Sequence, residues 1–90
     1  MLTENQKNVI IGGILGDSCI EKNGQNYRII FDHSISQLQY IAWKNAILFP
    51  HATKLQKYKV FDARTEKTYE KAKFKTYSKN FFNEYYFIIL

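Results

Sequence analysis

The sequence predicts an α+β fold, a helix–hairpin–helix–hairpin–helix unit whose four strands form one antiparallel sheet with helices on one face and lysines on the other. Three observations predict it: helical apolar spacing near the N-terminus, two stretches of period-two alternation that each fold back at a polar turn, and a lysine row that no core could bury. Ninety residues make one small domain, 1–90. A hydrophobic fraction of 46% with 23% charged residues excludes a disordered chain. One cysteine, Cys19, excludes an internal disulfide, and two histidines leave no Cys/His zinc framework. The longest apolar tracts, Val9–Leu15 and Tyr85–Leu90, fall short of the roughly 20 residues a spanning helix needs, and no signal peptide is visible. The expectation is a soluble protein of a reducing compartment, without a membrane partner.

Thr3-Glu4-Asn5-Gln6 has the form of a capping box and opens a first helix from about Glu4 to Gly16, with Val9, Ile10, Ile11, Ile14 and Leu15 at helical spacing. Asn23-Gly24 is a two-residue hairpin signal between strands over Ser18–Lys22 and Asn26–His33. In the second of these, Arg28 and Asp32 point away from the core. Ser34–Phe49 reads as a second helix with Leu38, Ile41, Ala42, Asn45 and Leu48 on one face and Trp43 and Ile47 beside it, and Pro50 ends it. Lys54–Asp62 and Thr68–Thr76 alternate around a turn at 63–67. Lys57, Lys59 and Phe61 are expected to share the outer face with Tyr69, Lys71, Lys73 and Lys75, leaving Tyr58, Val60, Ala72 and Phe74 for the helices. A third helix starts near Ser78 and runs to an abrupt apolar end at Leu90, which fits either a partner packed on the last turn or the front part of a longer chain.

The charge is unevenly spread. Of the net +5, residues 1–53 contribute nothing, whereas 54–79 hold eight lysines and Arg64 against three acids. A third of the chain thus carries the whole excess, the footprint of a surface that faces a polyanion or, more blandly, of a solubilising face. Asn, Ile, Lys, Phe and Tyr supply 43 of 90 residues, a skew toward A/T-rich codons and so toward an A/T-rich genome.

Gly12, Gly13 and Gly16 fall in or at the end of the first helix, where each interior glycine costs about 1 kcal/mol against alanine. A close approach of a second helix would account for them, and Gly16 alone would also serve as a C-cap. Asp17 follows at the negative end of the helix dipole, an unfavourable place for an acid unless it meets a cation. Two copies of the helix crossing there would bring two such carboxylates together, as two-metal phosphodiester hydrolysis requires. An aspartate in a helix-to-strand turn is otherwise commonplace.

Ile10-Ile11-Gly12-Gly13-Ile14-Leu15-Gly16-Asp17-Ser18 resembles the nine-residue motif of the LAGLIDADG homing endonucleases. Leu2, Thr3 and Gln6 resemble its lead-in, Arg28, Phe31 and Ser34 its second strand, Tyr40 and Trp43 the next helix, and Thr76, Ser78, Phe82 and Tyr86 the start of the third. The resemblance implies a unit that works in pairs, as a homodimer or with a second repeat. The motif helices pack at the centre through Gly12, Gly13 and Gly16, and the sheets lie in the major groove of double-stranded DNA. It implies Mg²⁺ held by Asp17 from each unit, and site-specific cutting of both strands to spread an intron or intein. His33 stands where relatives often carry Gln near the reacting phosphate, and Lys79 or Lys75 fits the supporting basic residue, so the implied catalytic set is Asp17, His33, Lys79 and Lys75. Arg28, Lys57, Lys59, Lys71, Lys73 and Lys75 would contact DNA. Leu15 in place of an acid and Ser18 in place of the terminal glycine depart from the motif, and a single motif requires a second unit. Some relatives assist splicing, so a non-catalytic partner of intron RNA is the alternative, with an inactive fragment behind it. Family habit and codon skew together point to an organelle, a mitochondrion ahead of a plastid, with bacterial and phage genomes behind.

Overall fold

The computed structural model describes residues 2–16 and 18–89, the last two by backbone alone. Helix α1 spans Glu4–Leu15 and starts at the expected capping box: the Thr3 hydroxyl accepts from Gln6 N at 3.1 Å, and Gln6 Oε1 accepts from Thr3 N at 2.8 Å. The Gln6 amide also donates to the carbonyls of Ile47 and Phe49, at 3.1 and 3.2 Å, tying the helix start to the chain 41 to 43 residues on. Strands β1 (Ser18–Asn23) and β2 (Asn26–Ser34) pair antiparallel. Their two-residue loop is Gly24-Gln25, one residue beyond the expected Asn23-Gly24. Gly24 takes φ +70° while Asn23 and Asn26 pair in the ladder, so the glycine occupies the first central position.

The expected second helix begins later. A single 3₁₀ turn over Ile35–Gln37 precedes α2 (Leu38–Leu48), and Phe49, extended at ψ 136°, ends it before Pro50. Its buried face is Ile41, Lys44 and Leu48, whereas Ala42 and Trp43 are exposed, so the apolar face is rotated from the expected one. β3 (Gln56–Asp62) and β4 (Lys67–Lys75) form the second hairpin, and a 3₁₀ turn over Asn80–Phe82 leads into α3 (Asn83–Ile89). The strand order is β1-β2-β4-β3.

The helices cover the face of β2 and β4 that carries Ile29, Phe31, Ala72 and Phe74, all at most 1% exposed. Phe31 and Phe74 are cross-strand partners stacked with centroids 4.7 Å apart, which joins the two hairpins through the core. The opposite face carries Arg28, Ile30 and Asp32 of β2 and Tyr69, Lys71, Lys73 and Lys75 of β4, as expected.

The expectation for β3 is corrected. Tyr58 is the direct partner of Lys71 and Val60 of Tyr69, so these two share the lysine face. Lys57 partners the buried Ala72 and Lys59 partners Glu70, which puts both lysines on the helix side of the sheet. They remain exposed because β3 is an edge strand that packs chiefly on β4 and lies beyond the helices. With both faces wet, the burial rule that sets alternation elsewhere has no hold on it.

The three glycines also separate. A Cβ on Gly13 would come within 2.8 Å of both Phe31 Cε1 and Ser18 Oγ, so this glycine is required by its own sheet and not by a partner helix. A Cβ on Gly12 would meet nothing within 4 Å, and one on Gly16 only the Gly12 carbonyl at 3.3 Å. Urea unfolding of dilute protein should therefore show Gly13→Ala destabilised by about 1–3 kcal/mol through overpacking. Gly12→Ala should be stabilised by about 0.5–1 kcal/mol through helix propensity. Equal effects at the two positions would contradict this division.

Candidate functional site

Two surfaces hold the chemistry-bearing residues. The first is α1. Its outward side presents Asn8, Ile11, Gly12 and Leu15, with Ile11 40% and Leu15 77% exposed. An apolar stripe with a glycine notch thus lies open along the helix. A groove of about 510 Å³ runs beside it, between α1 and α2, lined by Asn5, Asn8, Gly12, Tyr40, Trp43 and Lys44 among others. The last turn of α1 has no basic residue, so the carbonyls of that end favour a cation. Asp17, the expected metal ligand, lies outside the described residues.

His33 and Lys44 lie on the helix side of the sheet next to this helix. His33 continues the inward face of β2 two residues beyond Phe31 and is 4% exposed, covered by α2. Lys44 is 3% exposed. Its ammonium lies 3.2 Å from His33 Nε2, 4.2 Å from the Tyr40 ring centroid and 5.5 Å from that of Phe31. A lysine ammonium has donors only, so Nε2 is the acceptor in this contact. A lysine is buried this far only when charged or aromatic neighbours hold it. Sequence reasoning missed Lys44, although its spacing from Ile41 and Leu48 marks it as an inward position.

Of the expected catalytic residues that the structure describes, Lys75 and Lys79 do not lie beside His33. Lys75 projects from the outer face of β4 opposite Ile30, across the sheet from His33. Lys79 bridges to Tyr27, at the other end of β2. His33 lies six strand steps from Tyr27, about 20 Å along β2. Lys44 is the basic side chain that does lie against His33.

The second surface is the outer sheet face. Lys71, Lys73 and Lys75 run along β4, flanked by Asp32 on β2 and Tyr58 on β3. Arg28 is engaged by Glu21, its cross-strand partner, with Nε donating to Oε1 at 2.6 Å. Asp32 Oδ2 accepts a hydrogen bond from the Tyr58 hydroxyl, and Oδ1 lies 3.6 Å from the Lys71 ammonium. The Lys73 ammonium sits 4.6 Å from the centroid of the Tyr58 ring. Burial first, then the hydrogen bond to Asp32, push the Tyr58 phenol up to about 12. Lys57 and Lys59 are absent from this face, and Lys59 lies 4.0 Å from Glu70, an exposed pair that contributes little. Among the described residues no three His, Cys, Asp or Glu side chains are grouped to hold a metal, and no helix is long and apolar enough to cross a membrane.

The fold has a known counterpart. The structure superposes on that of the homing endonuclease I-WcaI bound to its DNA recognition sequence with a TM-score of 0.82, at 22% identity, covering 97% of this chain and 39% of that one. No curated protein matches the sequence at a significant level. The profile of the LAGLIDADG DNA endonuclease family matches residues 7–89, from within α1 to the end of α3. With that match across nearly the whole unit, the chain belongs to the LAGLIDADG DNA endonuclease family.

Proposed function

We propose that the protein is a site-specific double-strand DNA endonuclease of the homing kind that acts as a pair of units joined along α1. The observation that carries this is the open stripe of Ile11, Gly12 and Leu15, with space for a neighbour's backbone at Gly12. Burying an exposed isoleucine or leucine contributes about 1.5–3 kcal/mol each, and the notch lets two helices approach closely enough to share their ends. That the chain spans 39% of the superposed endonuclease is in keeping with one unit of a two-unit assembly.

Pairing would set the two Asp17 carboxylates side by side at the carbonyl-rich ends of the helices. Within one unit the described side chains do not make a divalent site. Carboxylates from two units together with helix-end carbonyl oxygens form an all-oxygen donor set of the kind Mg²⁺ takes. When bound, such a cation supplies Lewis-acid stabilisation of the phosphate and a more acidic water. The chain's own residues do the rest. Lys71, Lys73 and Lys75 hold phosphates and give salt-dependent affinity. The outer sheet face enters the major groove, which is wide enough for a two-stranded ribbon. His33, too covered to touch DNA itself, is oriented by Lys44 beneath that end of the unit. The codon skew supports a mitochondrial host genome, where an intron or intein would carry the reading frame.

The test is an incubation of the full chain with duplexes that span candidate insertion sites, in Mg²⁺ and in EDTA. Both strands should be cut in Mg²⁺ alone. The basic face is complete in one unit whereas the metal site is not, and this favours a second reading, binding of DNA or intron RNA without cutting. Retention of duplex or intron RNA with no product in Mg²⁺ would establish that reading instead.

A further inference from the structure

Beside the lysine row of β4 on the outer face, Asp32 and Tyr58 form a fixed polar unit. A carboxylate accepts only, and a phenol has a single proton. That proton is committed to Asp32 Oδ2, and Oδ1 faces the Lys71 ammonium at 3.6 Å. The raised titration of Tyr58 keeps the proton in place at any physiological pH. The Tyr58 oxygen therefore presents lone pairs alone. Lys71, its direct cross-strand partner, is 35% exposed and presents donors. Lys73 against the ring keeps the phenol laid over β4.

An acceptor beside a donor is a reading head of defined sign. In the major groove adenine offers N6–H₂ next to the N7 acceptor, and cytosine offers N4–H₂ next to the O6 of its paired guanine. Guanine and thymine edges meet the same position with acceptors and would face oxygen with oxygen. We infer that Tyr58 is a specificity-determining residue that reads an exocyclic amino group, adenine N6 or cytosine N4, with Asp32 fixing its polarity and Lys71 contacting the neighbouring acceptor. This rests on the reading above that the lysine face lies in the major groove.

Duplexes selected from a randomised pool by the full chain test both readings. Wild type should select A or C at one position of each half-site. Tyr58→Phe should flatten that preference by roughly 5–30-fold, in the lower part of the range for a base-edge contact, with the salt slope of binding unchanged because no phosphate contact is lost. Asp32→Ala frees the hydroxyl to donate, so G and T should become acceptable at the same position. If wild type selects a sequence and Tyr58→Phe reproduces its profile at every position, the inference falls while the DNA reading stands. If both variants lose affinity evenly across sequences and melt lower, the cluster is a stitch between strands and the inference falls. If wild type selects nothing, the groove-facing sheet falls and this inference with it.

Discussion

Asp17→Asn is expected to lower double-strand cleavage by at least about a thousandfold while leaving duplex binding intact. A divalent cation at the proposed paired helix ends would contribute several kcal/mol of transition-state stabilisation, and about 4 kcal/mol corresponds to three decades of rate. An uncharged amide in both units would remove the two anionic donors proposed to make the site. The lysines that hold phosphates lie on the sheet, on the far side from the helices, and are untouched. The fold gives an internal control. An acid at a helix C-terminus opposes the macrodipole, so the substitution should raise stability by about 0.3–1 kcal/mol. Lost cutting with an unchanged or higher melting temperature separates chemistry from unfolding. A variant that cuts at the wild-type rate would show that Asp17 is not the ligand.

Gly12→Leu should convert a dimer of about twice 10.7 kDa into a monomer and abolish cutting with it. In one unit a Cβ at this position meets nothing within 4 Å and faces an open groove, and leucine is a better helix former than glycine by roughly 0.5–1 kcal/mol, so the monomer should fold at least as well. In the pair it fills the notch through which the two backbones approach. Overpacking of about 1–3 kcal/mol translates into a dimer dissociation constant raised roughly 5- to 150-fold. Sedimentation across a concentration series checks it. A variant that still dimerises as tightly as wild type would place the seam elsewhere.

Much of this was legible in the sequence. Thr3 and Gln6 fixed the start of α1, Pro50 the end of α2, and the alternation Tyr27, Ile29, Phe31 the inward side of β2, because each rests on local geometry or on a buried face. The missed parts are those set by pairing at a distance. The outer face expected for Lys57 and Lys59 is wrong because the edge strand buries neither side, and only its register with Ala72 and Glu70 decides. Lys79 looked a suitable neighbour for His33 until strand pairing set it beside Tyr27. Lys44 was hidden by its charge, which reads as solvent-facing until Tyr40, Phe31 and His33 are seen around it.

The amide of Gln6 makes α1 a lever arm. It clamps one tip of the helix to the carbonyls of Ile47 and Phe49. The opposite tip, Leu15, is nine residues from Gln6, about 13.5 Å, and it is there that the acids are proposed to meet. A pivot error of about 5° at the clamp would swing that tip by about 1.2 Å, and misplacement of about 1 Å can cost two decades of rate. Aim at one end of the rod is thus governed by a glutamine at the other, which takes no part in the chemistry.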